Sequence, residues 1–214
     1  MATSNGTERY VILADVIDSS AIEERSEFRT ALSASLERVN DEFSADIHTD
    51  FELLKGIDEF GGVLTDLSRV YELIATIIEA CHPTMVRFAV AAGQIDVEPS
   101  NAIHQLDGEA FHRADRLLAA VEADDLYCYV DTGRPVDTLL AVSMNLLLLQ
   151  RAGWTPRQAD VVRAYERHGT QAAAASELGV RQQAVSKSLH QIDYFQTKRL
   201  RDHLLDVLPV IYGE

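Results

Sequence analysis

The spacing of apolar residues changes period several times along the first 150 positions, and each change predicts an element. Tyr10–Ala14 (YVILA) is apolar without alternation, which predicts a short strand buried on both faces and ending at Asp15. From Ser26 to Phe43 the period lengthens, and Phe28, Leu32, Leu36, Val39 and Phe43 form one helical stripe. Ile47–Leu54 and Phe60–Leu64 return to strand character around KGIDE, a turn punctuated by glycine and aspartate, so the pair predicts a hairpin. Leu67–Cys81 is a second helix, with Val70, Leu73, Ile74, Ile77 and Ile78 inward. Met85–Ala92 is a strand stopped by Gly93, Gly108–Val121 a helix, Leu126–Val130 a strand, and Val136–Gln150 a long helix. The order β-α-β-β-α-β predicts the α+β class, as a ferredoxin-like or palm fold: an antiparallel sheet with helices on one face. No internal repeat or low-complexity stretch interrupts it.

Beyond the linker Ala152–Gly153 the helices become short. Thr155 is an N-cap candidate with Pro156 in the first turn behind it, and Val161, Val162 and Tyr165 give the apolar stripe. Gly169 stops that helix. An alanine-rich helix spans about Thr170–Leu178, and Gly179 suits the positive φ of a C-cap. A third runs from Arg181 to Tyr194 with Val185, Leu189 and Ile192 inward. Its outward side offers Arg181, Gln182, Gln183, Ser186, Lys187 and His190, donor-rich groups suited to phosphates and base edges. The segment resembles the helix-turn-helix of sigma factor region four and of many prokaryotic regulators. That resemblance implies double-stranded DNA as a partner. Binding by a monomer would be weak, so a homodimer is expected, with recognition helices roughly 34 Å apart. A three-helix bundle of the same outline, or one that binds protein, would share these features. The expected organisation is a palm-like domain over 1–135, a connecting helix and linker over 136–153, and an all-α helix-turn-helix domain over 154–214.

Charge sharpens the division. The chain has 34 acidic and 19 basic side chains, a net −15, yet residues 153–202 carry 8 basic and 5 acidic, a formal +3. The remainder is at −18, a body that should repel DNA beside a segment that tolerates it. Lysine occurs three times (Lys55, Lys187, Lys198), and scarce lysine with surplus carboxylate matches a halophilic, salty cytoplasm as well as an ordinary acidic protein. Cys81 and Cys128 lack metal-ligand spacing and are expected as buried small hydrophobes. The start MATSNGTER is polar, and the apolar run at Leu146–Leu149 is too short for a membrane span. The expected location is cytoplasmic, without a membrane partner.

Carboxylates stand at two informative places. Asp15 closes the first strand, followed by Asp18 and Ser19, and Asp58 and Glu59 lie at the hairpin tip. In a β-α-β-β arrangement these can converge on one sheet edge, where hard oxygen ligands suit Mg²⁺ or Mn²⁺. LADVIDSS with KGIDEF resembles the SatD-like family, related to the palm domain of class III nucleotide cyclases and GGDEF diguanylate cyclases, over roughly residues 8–130. The resemblance implies metal binding by Asp15 and Asp58, a backbone carbonyl from Val16, and Glu59 as the adjacent acid. It also implies nucleotide contacts from the helix GEAFHRADR, where Arg116 keeps the family's arginine and His112 replaces its asparagine. Where GGDEF proteins have paired glycines this chain has Gly56-Ile57, and a β-branched residue there obstructs a nucleotide's close approach. The loop Ala21–Arg25 also lacks the glycines of a strong phosphate cradle.

Three readings follow. In the first, a DNA-binding transcription regulator carries a degenerate palm domain that binds a metal or nucleotide, or dimerises. In the second, the palm is an active metal-dependent nucleotidyl cyclase or oligonucleotide synthase recruited by the helix-turn-helix. The third makes it an interaction module, with Asp15 and Asp58 as a solvated acidic edge and His112 and Arg116 as an exposed helix face. His48, His82, His104, His168 and His203 show no ligand spacing.

Overall fold

A computed structural model describes residues 8–56, 58–95, 103 and 106–213. Ile57 and His104 lie outside the described residues. Five strands form one sheet: β1 (Arg9–Val16), β2 (Ile47–Lys55), β3 (Glu59–Leu64), β4 (Val86–Gly93) and β5 (Cys128–Asp131). Their spatial order is β2-β3-β1-β4-β5. The first four pair antiparallel, as the β-α-β-β-α-β pattern requires. β5 departs from an all-antiparallel expectation, since it adds parallel to β4.

Helices cover both faces of this sheet, not one. Along β1, Tyr10, Ile12, Ala14 and Val16 face a core shared with α1 (Arg25–Glu42), α2 (Val70–Cys81) and α4 (Asp137–Ala152). Val11, with Leu13, faces a second, smaller cluster built with Ala110 and Ala114 of α3 (Glu109–Ala123). The cause is the parallel β4–β5 step. A parallel pair needs a crossover connection, and α3 crosses over the face that the first two helices leave free. The unbroken apolar run of YVILA is the sequence counterpart of a strand with neighbours above and below.

The short helices form as their caps direct. α5 (Pro156–His168) starts at a capping box: Thr155 Oγ1 accepts from the Gln158 amide at 3.2 Å, and the Thr155 amide donates to Gln158 Oε1 at 2.9 Å. Gly169 ends it at φ 71°. α6 (Gln171–Glu177) is capped by Thr170, which accepts from the Ala173 amide at 3.3 Å. Gly179 at φ 64° turns the chain into α7 (Gln182–Gln191). Trp154, Val161, Val162, Ala174, Val185 and Leu189 belong to a buried cluster separate from the sheet's.

The third short helix ends at Gln191, three residues before the expected Tyr194, because Asp193 takes a left-handed conformation at φ 49°. A further helix that the apolar pattern does not predict, α8 (Tyr194–Tyr212), then returns to the sheet. Leu208 and Tyr212 are buried in the main core. Its end is locked by Asp137, a buried carboxylate that accepts from Tyr212 Oη, Thr132 Oγ1 and the Thr132 amide, each at 2.7 Å, and from the Arg134 amide at 3.0 Å. The Arg134 guanidinium donates to the Ile211 carbonyl and lies over the Tyr212 ring, 4.9 Å from its centroid. No described helix is long and apolar enough to cross a membrane.

Candidate functional site

Two places gather the chemistry: the carboxylate edge of the sheet and the outer side of α7. At the first, cross-strand register decides who meets whom. Asp15 is opposite Glu59 of β3 on one side and Arg87 of β4 on the other. The hairpin joins by its backbone, the Val16 amide donating to the Asp58 carbonyl at 2.9 Å. Ser19 follows Asp18, which is left-handed at φ 53°, and its hydroxyl donates to Asp58 Oδ2 at 3.0 Å. Gly56 makes the tight turn possible: it has φ 64°, and a Cβ there would stand 2.6 Å from Asp58 Oδ1. The structure therefore brings together Asp15, Val16, Asp58 and Glu59.

This edge is short of positive charge. Arg87, only 12% exposed, stands 3.9 Å from Asp15 Oδ2, and its guanidinium is also 3.8 Å from Glu122 and from Asp125. One cation is thus divided among three acids. Lys55 reaches Glu59 at 3.5 Å, but it is largely solvated, where such a pair contributes little. Partial burial, then the Asp58, Glu122 and Glu59 charges, push the Asp15 carboxyl up to about 6 against the pull of Arg87. Among the described residues, no group of three or more His, Cys, Asp or Glu side chains converges as a metal cluster. Two carboxylates do fit a hard divalent cation that keeps most of its water.

His112 and Arg116 do not share this site. α3 approaches Asp15 with its C-terminal end, where Glu122 stands. At 1.5 Å per residue, Arg116 lies about 9 Å and His112 about 15 Å back along the helix. Both are exposed, and His112 faces Asp107 at 3.3 Å. Arg87, Glu122 and Asp125 are the residues that sequence reasoning did not place at the edge. An Arg opposite an Asp becomes visible only when strand register is known.

On α7, Val185 and Leu189 point inward, leaving Arg181, Gln182, Gln183, Lys187 and His190 exposed and Ser186 half-buried. Arg181 and Lys187 meet no carboxylate among the described residues. Three neighbouring cations are paired, Arg167 with Glu177 at 2.6 Å, Arg201 with Glu166 at 2.8 Å and Lys198 with Asp202 at 2.5 Å, while the exposed Arg157 and Arg199 likewise meet no carboxylate among the described residues. The cysteines are ordinary core residues. Burial pushes both thiols up to about 12, far from a reactive thiolate.

With this geometry in hand, comparison with known proteins finds the SatD family matching residues 10–205. The chain belongs to the SatD family. The match of this SatD-family protein spans the sheet, all three short helices and most of α8. Among solved structures it is similar to a bacterial light-regulated adenylyl cyclase, with 13% identity, a TM-score of 0.38, and coverage of 58% of this chain and 75% of that one. A second light-regulated adenylyl cyclase structure has 11% identity and a TM-score of 0.43, over 58% of this chain and 43% of that one. No curated protein matches this SatD-family sequence.

Proposed function

We propose that the protein is a DNA-binding regulator in which α6 and α7 form a helix-turn-helix with α7 as the recognition helix. The observation that carries the reading is the exposed side of α7 with its N-cap, where Arg181 and Lys187, which meet no carboxylate among the described residues, stand with the exposed Gln182, Gln183 and His190. Nearby, Arg167, Lys198 and Arg201 are each paired with a carboxylate, whereas Arg157 and Arg199 meet none among the described residues. Arg181 is the N-cap of α7 and the glutamines occupy its first turn, so side-chain donors stand close to the free backbone amides of a helix N-terminus, the groups that phosphate and base-edge contacts use. The local +3 charge supports this reading, because a body at −18 would otherwise repel a polyanion. The test is fluorescence anisotropy with labelled duplex DNA. The Arg181→Ala/Lys187→Ala double variant should lose about tenfold or more in affinity while melting as the wild type does. Unchanged affinity would remove α7 from the interface.

The carboxylate edge supports a second role, binding Mg²⁺ or Mn²⁺ through Asp15 and Asp58, with Glu59 and the Val16 carbonyl alongside. A cation there would supply the positive charge that Arg87 alone does not, and could bridge to a nucleotide's phosphates. The chain's own residues set its placement, since Ser19 orients Asp58 and Gly56 keeps the turn tight. Catalysis is not part of this reading. Gly56-Ile57 stands in place of paired glycines, and His112 and Arg116 lie along α3 away from the acids. Incubation with ATP or GTP and Mn²⁺ should yield no cyclic or oligomeric product. Product that disappears in Asp58→Asn would establish the cyclase alternative instead.

A further inference from the structure

Helix α4 is buried on the side facing the sheet, through Leu140, Met144, Leu147 and Leu148. Its opposite side is apolar as well. Leu139, Val142, Leu146 and Leu149 recur at spacings of three and four, the a/d pattern of a helix that packs on another helix. All four are at least half exposed, Leu146 at 63%. Grooves of about 350 Å³ flank this ridge on both sides. One lies against α8, with walls that include Leu200, Leu204 and Val207. The other lies against the β5 edge, with walls that include Leu126, Tyr129 and Ala141.

We propose that this face pairs with the same face of a second copy of the chain. Three observations select that occupant. The surface is self-complementary, a ridge between two grooves, so the ridge of each copy can seat in a groove of the other under two-fold symmetry. Repulsion between two strongly acidic molecules is least along α4, since residues 138–150 carry no charge in a chain that is 25% charged and Asp125 stands at the edge of only one groove. Finally, the area suffices. With Leu200 and Val207 of α8, the exposed large side chains present on the order of 600 Å² per copy, the lower bound of the ~600–1,000 Å² per partner of a specific interface. Such a patch is at the top of the range that a monomer ordinarily leaves in water. The inference stands whether or not α7 binds DNA.

Light scattering on the eluting chain, across micromolar concentrations, tests it. The wild type should run at twice the chain mass. Leu146→Glu and Leu200→Glu, placed on the ridge and on a groove wall, should each raise the dissociation constant more than ~30-fold. Both positions face solvent in the single chain, so far-UV circular dichroism should be unchanged. Arg116→Glu on the exposed side of α3 should leave the dimer intact. A monomeric wild type would overturn the proposal, as would a dimer that survives both leucine variants. Neutral lipid vesicles that bind a monomeric wild type would identify a lipid face instead.

Discussion

Replacing Asp15 by Asn should stabilise the protein at neutral pH, although it deletes a partner of Arg87. In the folded chain the Asp15 carboxyl sits at about 6 rather than 3.8, raised first by burial and then by the charges of Asp58, Glu122 and Glu59. At ~1.4 kcal/mol per unit the shift corresponds to about 3 kcal/mol. Water reaches this edge, so screening reduces the figure to about 1–2 kcal/mol. The sign follows from proton linkage. Because the folded state holds the proton more tightly, the contribution is fully present below the unfolded value near 4 and is lost as pH rises through about 6. At pH 7.5 the wild type therefore carries an ionised, crowded Asp15, which a neutral carboxamide of the same shape does not. Arg87 keeps Glu122 and Asp125. Circular-dichroism melts in metal-free buffer should show Asp15→Asn melting about 3–6 °C higher at pH 7.5, with the gain reduced by about half at pH 5. A variant less stable than wild type at pH 7.5, or a gain that is the same at both pH values, would refute the electrostatic reasoning.

Other perturbations test the same edge and the anchor of α8. Millimolar Mn²⁺ should raise the melting temperature of the wild type but not of Asp15→Asn, since a ligand that binds only the folded state stabilises it by mass action; an equal rise in both would place the metal elsewhere. Gly56→Ala should cost about 1–2 kcal/mol, because its positive φ and the 2.6 Å approach to Asp58 Oδ1 both oppose a side chain, and denaturant unfolding measures it. Asp137→Ala should cost about 3 kcal/mol by leaving buried donors unsatisfied, whereas Tyr212→Phe should cost only about 1 kcal/mol. Hydrogen exchange on the Asp137→Ala protein should then show α8 opening before the sheet.

Much of the fold is legible from periodicity where one face is apolar and the other polar. The stripes of α1 and α2, the hairpin around KGIDE and the caps at Thr155, Gly169 and Gly179 follow directly from residue types. The second helical layer was also written in the chain, since YVILA has no polar face, but a β-α-β-β-α-β count conceals it: the crossover through α3 belongs to β5, outside that unit. α8 is harder to read. Its interior mixes Lys198, Arg199, Arg201 and Asp202 with leucines and contains Pro209, and its buried end depends on a tertiary anchor, Asp137, that no local pattern announces. At the candidate site, Asp15 and Asp58 could be placed from strand order alone. Arg87, Glu122 and Asp125 could not, because their meeting depends on register and on which face α3 covers.

Whether α7 touches DNA is measured most directly by the salt dependence of binding. Log affinity for a duplex should fall linearly with log salt for the wild type, through release of counterions from the phosphates. If Lys187 meets a phosphate, the slope for Lys187→Ala should be shallower by about 1. Identical slopes for the variant and the wild type, or no binding by the wild type at low salt, would contradict the assignment of α7 as the recognition helix.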